Sequence, residues 1–270
     1  GARVTVPFVG GCGRCDVCAN GDHQVCPGQF QPGFTHWGSF AELVAIDFAD
    51  TNLVALPDSI GFVPAAALGC RVATAFRAVV DRAAIEPGET LAVHGCGGVG
   101  LSAVMIGAAM GAEVVAVDVS DAALAAARAA GAAVTIDATG LDPDDVAAAV
   151  ADAAGAGAHA SLDAIGGAGT SHASIMGLRR RGRHVQVGLM TADAARAPAA
   201  FDRILAWELD VLGSHGMSAN RYPAMLEMVA GGQLDIDALV TRTVDLDAAI
   251  DHLVSPGANG AGIAVIDRFA

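Results

Sequence analysis

The sequence predicts an α/β protein built around a parallel sheet, preceded by a smaller lobe that lacks an apolar core. From Gly88 onward, runs typical of strands alternate with runs typical of helices, which is the pattern that builds a parallel sheet. A glycine-rich turn at residues 95–100 follows the first of these strands. Upstream, four cysteines fall within residues 12–26, in a segment rich in turn-forming residues.

Composition limits the classes of function that the chain can serve. At 270 residues it has room for two domains, because single cores tend to split at about 250 residues. The formal charge of −14 disfavours nucleic acid as a partner. All 15 basic residues are arginine, which excludes a lysine Schiff base and a GxxxxGK[ST] phosphate loop. Charged residues interrupt every apolar run before membrane-spanning length, and no leader pattern opens the sequence, so we expect a cytoplasmic protein with no membrane partner.

The first 81 residues combine short predicted strands with one predicted helix. Strands are expected at Ala2–Val9, Ser39–Ala45 and Leu53–Leu56. Apolar residues recur every three or four positions from Pro64 to Asp81, which predicts the helix. Residues 10–32 are dominated by turn formers, so we expect a loop lobe there.

The region after Gly88 is predicted to contain five or six strands with helices between them. The expected strands are Leu91–His94, Glu113–Asp118, Ala133–Ile136, Ala160–Ile165, Arg183–Val187 and Asp210–Gly213. The expected helices are Val99–Met110, Asp121–Ala130, an alanine-rich helix after Pro143, Thr170–Leu178 and Arg221–Ala230. No long period repeats, so a solenoid is not expected.

The turn between the first strand and helix has the spacing of a dinucleotide-binding loop. Gly95, Gly97 and Gly100 stand in GxGxxG order, with Gly98 and Val99 between the last two. In such a loop the glycines allow a tight turn, close approach of a pyrophosphate and close packing of helix on strand. A turn that only packs the helix is the alternative interpretation.

An acidic residue at the end of the next strand favours the nucleotide interpretation. Asp118 lies about 20 residues beyond the turn, where a carboxylate can accept hydrogen bonds from an adenosine ribose. A 2′-phosphate there would meet like charge, at a cost of about 1 to 4 kcal/mol at about 4 Å. The sequence therefore predicts NAD as cofactor rather than NADP.

The cysteine spacing in the loop lobe predicts a structural zinc site. Cys12, Cys15, Cys18 and Cys26 follow the pattern CxxCxxCx7C, which places four thiols on tight turns. Four thiolates close a tetrahedron around Zn²⁺ and leave no open position for a substrate. An iron–sulfur cluster is disfavoured because the last spacing is seven residues rather than three. Disulfides and free thiols remain alternatives.

Taken in order, these motifs are similar to a known family. The cysteine lobe, GSFAE at Gly38–Glu42, LGCRVATAFRAV at Leu68–Val79, GCGGVG, and VQVGL at Val185–Leu189 resemble the zinc-containing medium-chain alcohol dehydrogenases over nearly the whole chain. The resemblance implies a Rossmann doubly wound parallel sheet plus a partial GroES-like, β-rich catalytic domain that carries the zinc lobe. It divides the chain at residues 1–71, 72–214 and 215–270, with the last segment returning to the catalytic domain.

The resemblance also assigns roles to residues that match the family's motifs. Cys70 matches the third protein ligand of a catalytic zinc, and Thr74 matches a threonine beside the nicotinamide ring. Val99 would pack on the far side of that ring, while Val187 and Gly188 would lie near the carboxamide. A buried helix cysteine without a metal is the alternative interpretation for Cys70.

One departure from the family pattern concerns the catalytic metal. The cysteine and the glycine-histidine-glutamate motif that supply the family's other two zinc ligands have no counterpart in this sequence. We therefore expect a fragment that lacks its beginning, because one cysteine cannot hold a catalytic zinc.

The resemblance implies a zinc-dependent alcohol dehydrogenase that transfers hydride between an alcohol and NAD. Its partners would be a small alcohol or carbonyl substrate and further copies of the chain, as a homodimer or homotetramer. The alternative is a non-catalytic NAD-binding zinc protein, or an inactive fragment without the catalytic zinc site.

Overall fold

The computed structural model describes residues 1–254 and 262–269, which form two compact units. Unit 1 comprises Gly1–Thr74 and the described part of His215–Ala270, and unit 2 comprises Ala75–Ser214. Each unit has its own arrangement of strands and helices. The predicted active-site motifs are therefore divided between two separately folded regions, with the glycine turn in unit 2 and the cysteine lobe in unit 1.

Unit 2 is a six-stranded parallel sheet with helices between its strands. The strands are β3 (Thr90–His94), β4 (Glu113–Asp118), β5 (Val134–Asp137), β6 (Ala158–Asp163), β7 (Leu178–Gln186) and β8 (Asp210–Gly213). The helices are α5 (Gly98–Ala109), α6 (Asp121–Ala129), α7 (Pro143–Ala153), α8 (Ala168–Met176) and α9 (Phe201–Trp207), with a 3₁₀ turn at Ala192–Arg196. The strand order is β5-β4-β3-β6-β7-β8, and every neighbouring pair is parallel. This confirms the predicted α/β class.

The burial of β3 and α5 explains why these segments lack a polar face. All five residues of β3 are buried, and Gly100–Gly107 of α5 are buried as a continuous stretch. A central parallel strand is covered by helices on both faces, so it is apolar throughout. In an open α/β sheet, ligands bind beyond the carboxyl ends of the strands where the strand order reverses. Here the order reverses between β3 and β6, so the glycine turn after β3 lies at that position.

Unit 1 contains short elements and two small sheets. The strands are β1 (Val4–Thr5), β2 (Val54–Ala55), β9 (Val240–Asp245) and β10 (Ile263–Arg268); β1 pairs antiparallel with β2, and β9 pairs parallel with β10. The helices are α1 (Asp16–Ala19), α2 (Ala49–Asn52), α3 (Phe62–Ala67), α10 (Tyr222–Ala230) and α11 (Ala248–Val254). A further helix, α4 (Ala73–Phe76), includes the last two residues of this part of unit 1 and the first two of unit 2. Short 3₁₀ turns occur at His23–Val25, Ala219–Arg221 and Asp237–Leu239.

The strand predicted at Ser39–Ala45 is not formed, and this prediction was wrong. The segment is irregular, and Leu43 is 89% exposed. A strand needs a neighbour for its backbone hydrogen bonds, and none of the strand pairings among the described residues involves this segment. The strand predicted over Ala2–Val9 is likewise reduced to Val4–Thr5, where β2 supplies the partner.

The predicted helix near residue 70 is one continuous run of 21 residues, Phe62–Arg82. It includes π-helical turns at Leu68–Val72 and Arg77–Arg82. The run is long enough to span a membrane, and its most apolar 18-residue window has a mean hydropathy of 1.4. However, 56% of that window is buried within the protein. A buried core helix has the same composition, so this run is weak evidence for a membrane segment.

His94, the last residue of β3, is a buried imidazole with an incomplete set of hydrogen bonds. It is 2% exposed, and its Nε2 has no partner among the described residues. Burial lowers the pKa of His94 to about 4, although the nearby Asp163 carboxylate opposes this shift. The ring is therefore neutral in the folded protein at neutral pH.

We predict that His94 makes the protein sensitive to mild acid. Between pH 6.5 and about 4 the unfolded chain binds a proton here that the folded chain does not, so the free energy of unfolding falls as the pH falls. The loss reaches about 1.4 kcal/mol per pH unit, or about 3 kcal/mol over this window. Urea unfolding at several pH values should show a smaller pH dependence in His94→Leu. Equal pH dependence in the two proteins would contradict this assignment.

Candidate functional site

The four cysteines of the lobe lie close enough together to bind one metal ion. The sulfur atoms of Cys12, Cys15, Cys18 and Cys26 all lie within 4.8 Å of one another, and none of these residues forms a disulfide. Cys15 Sγ and Cys26 Sγ are 3.7 Å apart. In a tetrahedral site with Zn–S bonds of about 2.3 Å, neighbouring sulfurs are about 3.8 Å apart. The cluster therefore fits a closed, structural zinc site.

Backbone amides in the lobe point at the sulfur atoms. Cys15 is the N-cap of α1, and its Sγ accepts from Cys18 N at 3.5 Å. Cys26 Sγ accepts from Cys12 N, also at 3.5 Å. Such N–H···S contacts stabilise thiolate sulfur and orient it toward a metal.

The Cys12 and Cys18 thiols have different pKa values because their surroundings differ. The backbone N–H of Arg14 lowers the pKa of the Cys12 thiol to about 6, with further help from neighbouring hydrogen bonds. Burial raises the pKa of Cys18 to about 12, and the adjacent thiols add to that effect. A divalent cation would offset the repulsion among four thiolates, so binding it would release protons.

Asn52 holds the start of the lobe in place and was missed by the sequence analysis. Its side chain is fully buried on α2; Oδ1 accepts from Gly11 N and Nδ2 donates to Gly11 O, both at 2.9 Å. Gly13 adopts a φ of +71°, and a Cβ atom there would lie 2.3 Å from Thr51 Oγ1. The turn that carries the cysteines is thus held by a residue 41 positions away from Gly11 in the chain, which local spacing does not reveal.

The glycine turn has the geometry that its spacing predicts. Gly95 adopts a φ of +91°, and a Cβ atom at Gly100 would lie 1.7 Å from Gly95 O. By contrast, a Cβ atom at Gly97 would meet nothing within 4 Å, so the turn is open on that side. The first backbone bond of α5 runs from Leu101 N to Gly97 O at 2.8 Å, and the amides before it point out of the helix end. A helix terminus of this kind favours an anion.

Asp118 lies beside the glycine turn at the end of β4. Its Oδ2 accepts from Cys96 N at 2.6 Å, and its Oδ1 accepts from Val119 N at 2.8 Å and Ser120 N at 2.9 Å. A carboxylate has about four acceptor positions, so one remains for a further donor. The side chain therefore braces the turn and also presents negative charge beside it.

Two of the other predicted cofactor contacts follow β7, at the same edge of the sheet as the glycine turn. Val187 N and Gly188 N both donate to Asp163 O, at 3.1 and 2.8 Å. Because all six strands are parallel, the segments after β3, β4 and β7 emerge at one edge. Val99 is half-buried in the first turn of α5.

Cys70 and Thr74 lie four residues apart in the part of the helical run that belongs to unit 1. Cys70 lies on the π-helical turn at Leu68–Val72 and keeps some exposed surface. Partial burial of the thiol nevertheless raises its pKa. Thr74 is 7% exposed, and its Oγ1 has no hydrogen-bond partner among the described residues. A buried hydroxyl without a partner is the kind of atom that a ligand satisfies.

The described residues do not assemble a second metal site around Cys70. Within residues 1–254 and 262–269, the lobe cysteines are the one group of three or more His, Cys, Asp or Glu side chains placed to share an ion. A catalytic zinc needs three protein ligands and one open position. The resemblance predicts three protein ligands for such an ion, and the described residues supply one of them, Cys70.

Tyr222 supports the turn that carries Cys70, and periodicity gave no indication of it. The ring is fully buried, and its hydroxyl lies 3.4 Å from Leu68 O and 3.3 Å from Gly69 O, to which it can donate. Gly69 O also accepts from Phe8 N at 2.8 Å. It is the single tyrosine of the chain, which is the one available signal that it differs from its neighbours.

Comparison with known proteins gives consistent matches. A family model described as zinc-binding dehydrogenase matches residues 98–231. An alcohol dehydrogenase from Geobacillus stearothermophilus is 29% identical over 270 residues, which cover 99% of this chain and 77% of that protein. A sorbitol dehydrogenase from Bacillus subtilis (strain 168) is 29% identical over 262 residues, which cover 94% of this chain and 70% of that protein. The crystal structure of an NAD-dependent alcohol dehydrogenase matches with a TM-score of 0.85 and 29% identity, over 100% of this chain and 76% of that chain.

We predict that Cys26→Ser removes the lobe metal, because one ligand of a closed four-thiolate site cannot be replaced from solvent without loss of affinity. Metal analysis by mass spectrometry should show about one zinc fewer per chain, and limited proteolysis within residues 10–32 should become faster. The matched control is Cys96→Ser, which changes a buried thiol outside the cluster and should leave the zinc content unchanged. Full zinc content in Cys26→Ser would contradict the assignment.

Proposed function

We propose that the chain is a medium-chain dehydrogenase that transfers hydride between an alcohol and NAD, because a zinc-binding dehydrogenase model matches residues 98–231 and similar proteins include alcohol dehydrogenases. The observation that carries this proposal is the placement of Asp118 beside the glycine turn, where its carboxylate accepts from Cys96 N. The pair combines free amides at a helix end with a carboxylate, which suits a pyrophosphate and an adjacent ribose.

In this proposal unit 2 binds the cofactor at the carboxyl edge of its sheet. Gly95, Gly97, Gly98 and Gly100 allow the pyrophosphate to approach the backbone, and Asp118 accepts from the adenosine ribose. A cofactor with a 2′-phosphate would meet the Asp118 charge, so NAD is preferred to NADP. Bound NAD supplies the hydride acceptor.

The catalytic roles follow from the same proposal. Thr74, with its unpartnered buried hydroxyl, would contact the nicotinamide side of the cofactor. Val99 would contact the opposite face of the nicotinamide ring. Val187 and Gly188 would contact the carboxamide. Cys70 would be one ligand of a catalytic zinc, a Lewis acid that polarises the substrate oxygen when bound. The lobe cysteines would hold a second, structural zinc that stabilises unit 1.

We also propose the substrate class and assembly. Related proteins that match most of this chain include alcohol, sorbitol and D-arabitol-phosphate dehydrogenases, so a small alcohol or polyol and its carbonyl product are the proposed substrates. A homodimer or homotetramer is proposed for the assembly. In support, β8 ends the strand order of the unit 2 sheet and exposes Val211, which is 46% exposed.

The alternative is an NAD-binding zinc protein without catalysis. One observation favours it: the described residues place no further metal ligands beside Cys70 to complete a catalytic site. Metal content and turnover separate the two proposals, since a second zinc per chain accompanies only the catalytic site.

The decisive experiment measures zinc content, NADH binding and NAD reduction on one preparation. We expect NADH to bind to the folded protein, and alcohol-dependent NADH formation to appear only in preparations that hold two zinc ions per chain. One zinc with NADH binding and no turnover would favour the non-catalytic alternative. Folded protein that binds neither NAD nor NADH would overturn both.

We predict that Asp118→Asn reduces the preference for NADH over NADPH on the order of tenfold, because it removes the negative charge that a 2′-phosphate would meet. Its single oxygen can accept either from Cys96 N or from Val119 N and Ser120 N, so the ratio of the two affinities is the measure. Dissociation constants from fluorescence titration of both cofactors provide the measurement. Asp137→Asn is the matched control, because Asp137 ends the neighbouring strand β5 and accepts from Thr139 N at 2.9 Å. Wild-type protein that binds NADPH as tightly as NADH would contradict the role of Asp118.

A further inference from the structure

Asp163 is a buried carboxylate that the proposed mechanism does not use. It is the last residue of β6 and is 0% exposed, whereas the other Asp and Glu side chains whose burial the structure describes all keep some exposed surface. A buried charge is costly unless hydrogen bonds or an opposite charge compensate it. The surroundings of this side chain therefore need an explanation.

Four donors from three segments converge on the Asp163 carboxylate. Oδ1 accepts from Ile165 N at 2.8 Å and Gly166 N at 3.0 Å, which are in the loop after β6. Oδ2 accepts from Thr170 Oγ1 at 3.2 Å, on α8, and from Gln186 Nε2 at 3.0 Å, at the end of β7. The carboxylate thus ties the loop after β6 to the neighbouring strand.

The main chain of Asp163 reinforces the same connection. Its carbonyl oxygen accepts from both Val187 N and Gly188 N. Gln186 Nε2 also donates to Gly188 O, at 2.9 Å. Gly188 is therefore held through its amide by the Asp163 carbonyl and through its carbonyl by the side chain that Asp163 orients.

The two loops are packed backbone against backbone, so they cannot move independently. Gly166 adopts a φ of +92°, and a Cβ atom there would lie 2.3 Å from Leu189 O. A Cβ atom at Gly188 would lie 2.2 Å from Gly166 N. A change in the hydrogen bonds of Asp163 is consequently transmitted to both loops.

The same loop also lies against the glycine turn. Ala164 N donates to His94 O at 2.9 Å, and a Cβ atom at Gly95 would lie 2.4 Å from Ile165 Cγ1. Ile165 is 54% exposed, although it is apolar. The segments after β3, β6 and β7 therefore meet around Asp163 at the edge where the cofactor is proposed to bind.

We propose that Asp163 is a positioning residue that sets the place of Val187 and Gly188, and thereby the affinity for the nicotinamide half of the cofactor. This inference rests on the proposed function, because it requires NAD to bind at this edge of unit 2. It assigns to Asp163 no contact with the substrate and no proton transfer. Asp118, on the adenosine side, has a separate set of hydrogen-bond partners: Cys96 N, Val119 N and Ser120 N.

Asp163→Asn tests the proposal with little change in volume. The asparagine oxygen can replace Oδ1, but its NH₂ group then faces Gln186 Nε2, donor against donor. If the Gln186 amide rotates to accept, Gly188 O loses its donor. We expect the affinity for NADH to fall on the order of tenfold, and the affinity for ADP-ribose, which lacks nicotinamide, to change by less than about twofold.

Binding of NADH and ADP-ribose is measured by titration calorimetry on the whole chain, with thermal unfolding in parallel. Gln186→Met removes the link to Gly188 O at a half-buried position, and it decides the question if Asp163→Asn does not fold. Asp142→Asn is the matched control, because Asp142 accepts two backbone amides at the start of α7, at 2.9 Å each. It should leave both affinities unchanged.

The outcomes separate this inference from the proposed function. Selective loss of NADH affinity in the Asp163 and Gln186 variants, with normal ADP-ribose binding, supports the positioning role. Equal loss for both ligands, no loss, or the same selective loss in Asp142→Asn overturns it while NAD binding stands. Wild-type protein that binds neither ligand overturns the proposed function, and the inference with it.

Discussion

A Cβ atom at Gly100 would lie 1.7 Å from Gly95 O, so α5 can pack on β3 only where residue 100 lacks a side chain. This contact fixes where the helix begins relative to the strand, and it leaves the amides of the first turn at the carboxyl edge of the sheet. Asp118 is then close enough to accept from Cys96 N. The proposed cofactor site depends on this one steric requirement.

The two units meet the need for stability by different means. Unit 2 buries continuous apolar stretches in β3 and α5. This packed core holds the loops that follow the strands in place. The lobe of unit 1 is built from turns and has few apolar residues, so its geometry depends on four sulfurs and on the hydrogen bonds of Asn52. A bound metal can stabilise a segment that is too short to form an apolar core.

Spacing in the sequence indicated the local parts of both candidate sites. The cysteine pattern placed four sulfurs on consecutive turns, and they lie within 4.8 Å of one another. The glycine pattern placed a positive φ at Gly95 and an open face at Gly97. The strand predicted at Ser39–Ala45 was wrong, because alternation shows that a segment can pair and does not show that a partner lies beside it.

The sequence by itself determined the strand and helix alternation, the glycine turn and the cysteine cluster, because each depends on residues that are near one another in the chain. Only the tertiary structure revealed the roles of Asn52, Asp163 and Tyr222, whose partners include residues 23 to 154 positions away. A buried polar side chain is identified by the donors and acceptors that converge on it. These donors and acceptors come together only when the strands take their order in the sheet. Composition and periodicity do not determine that order.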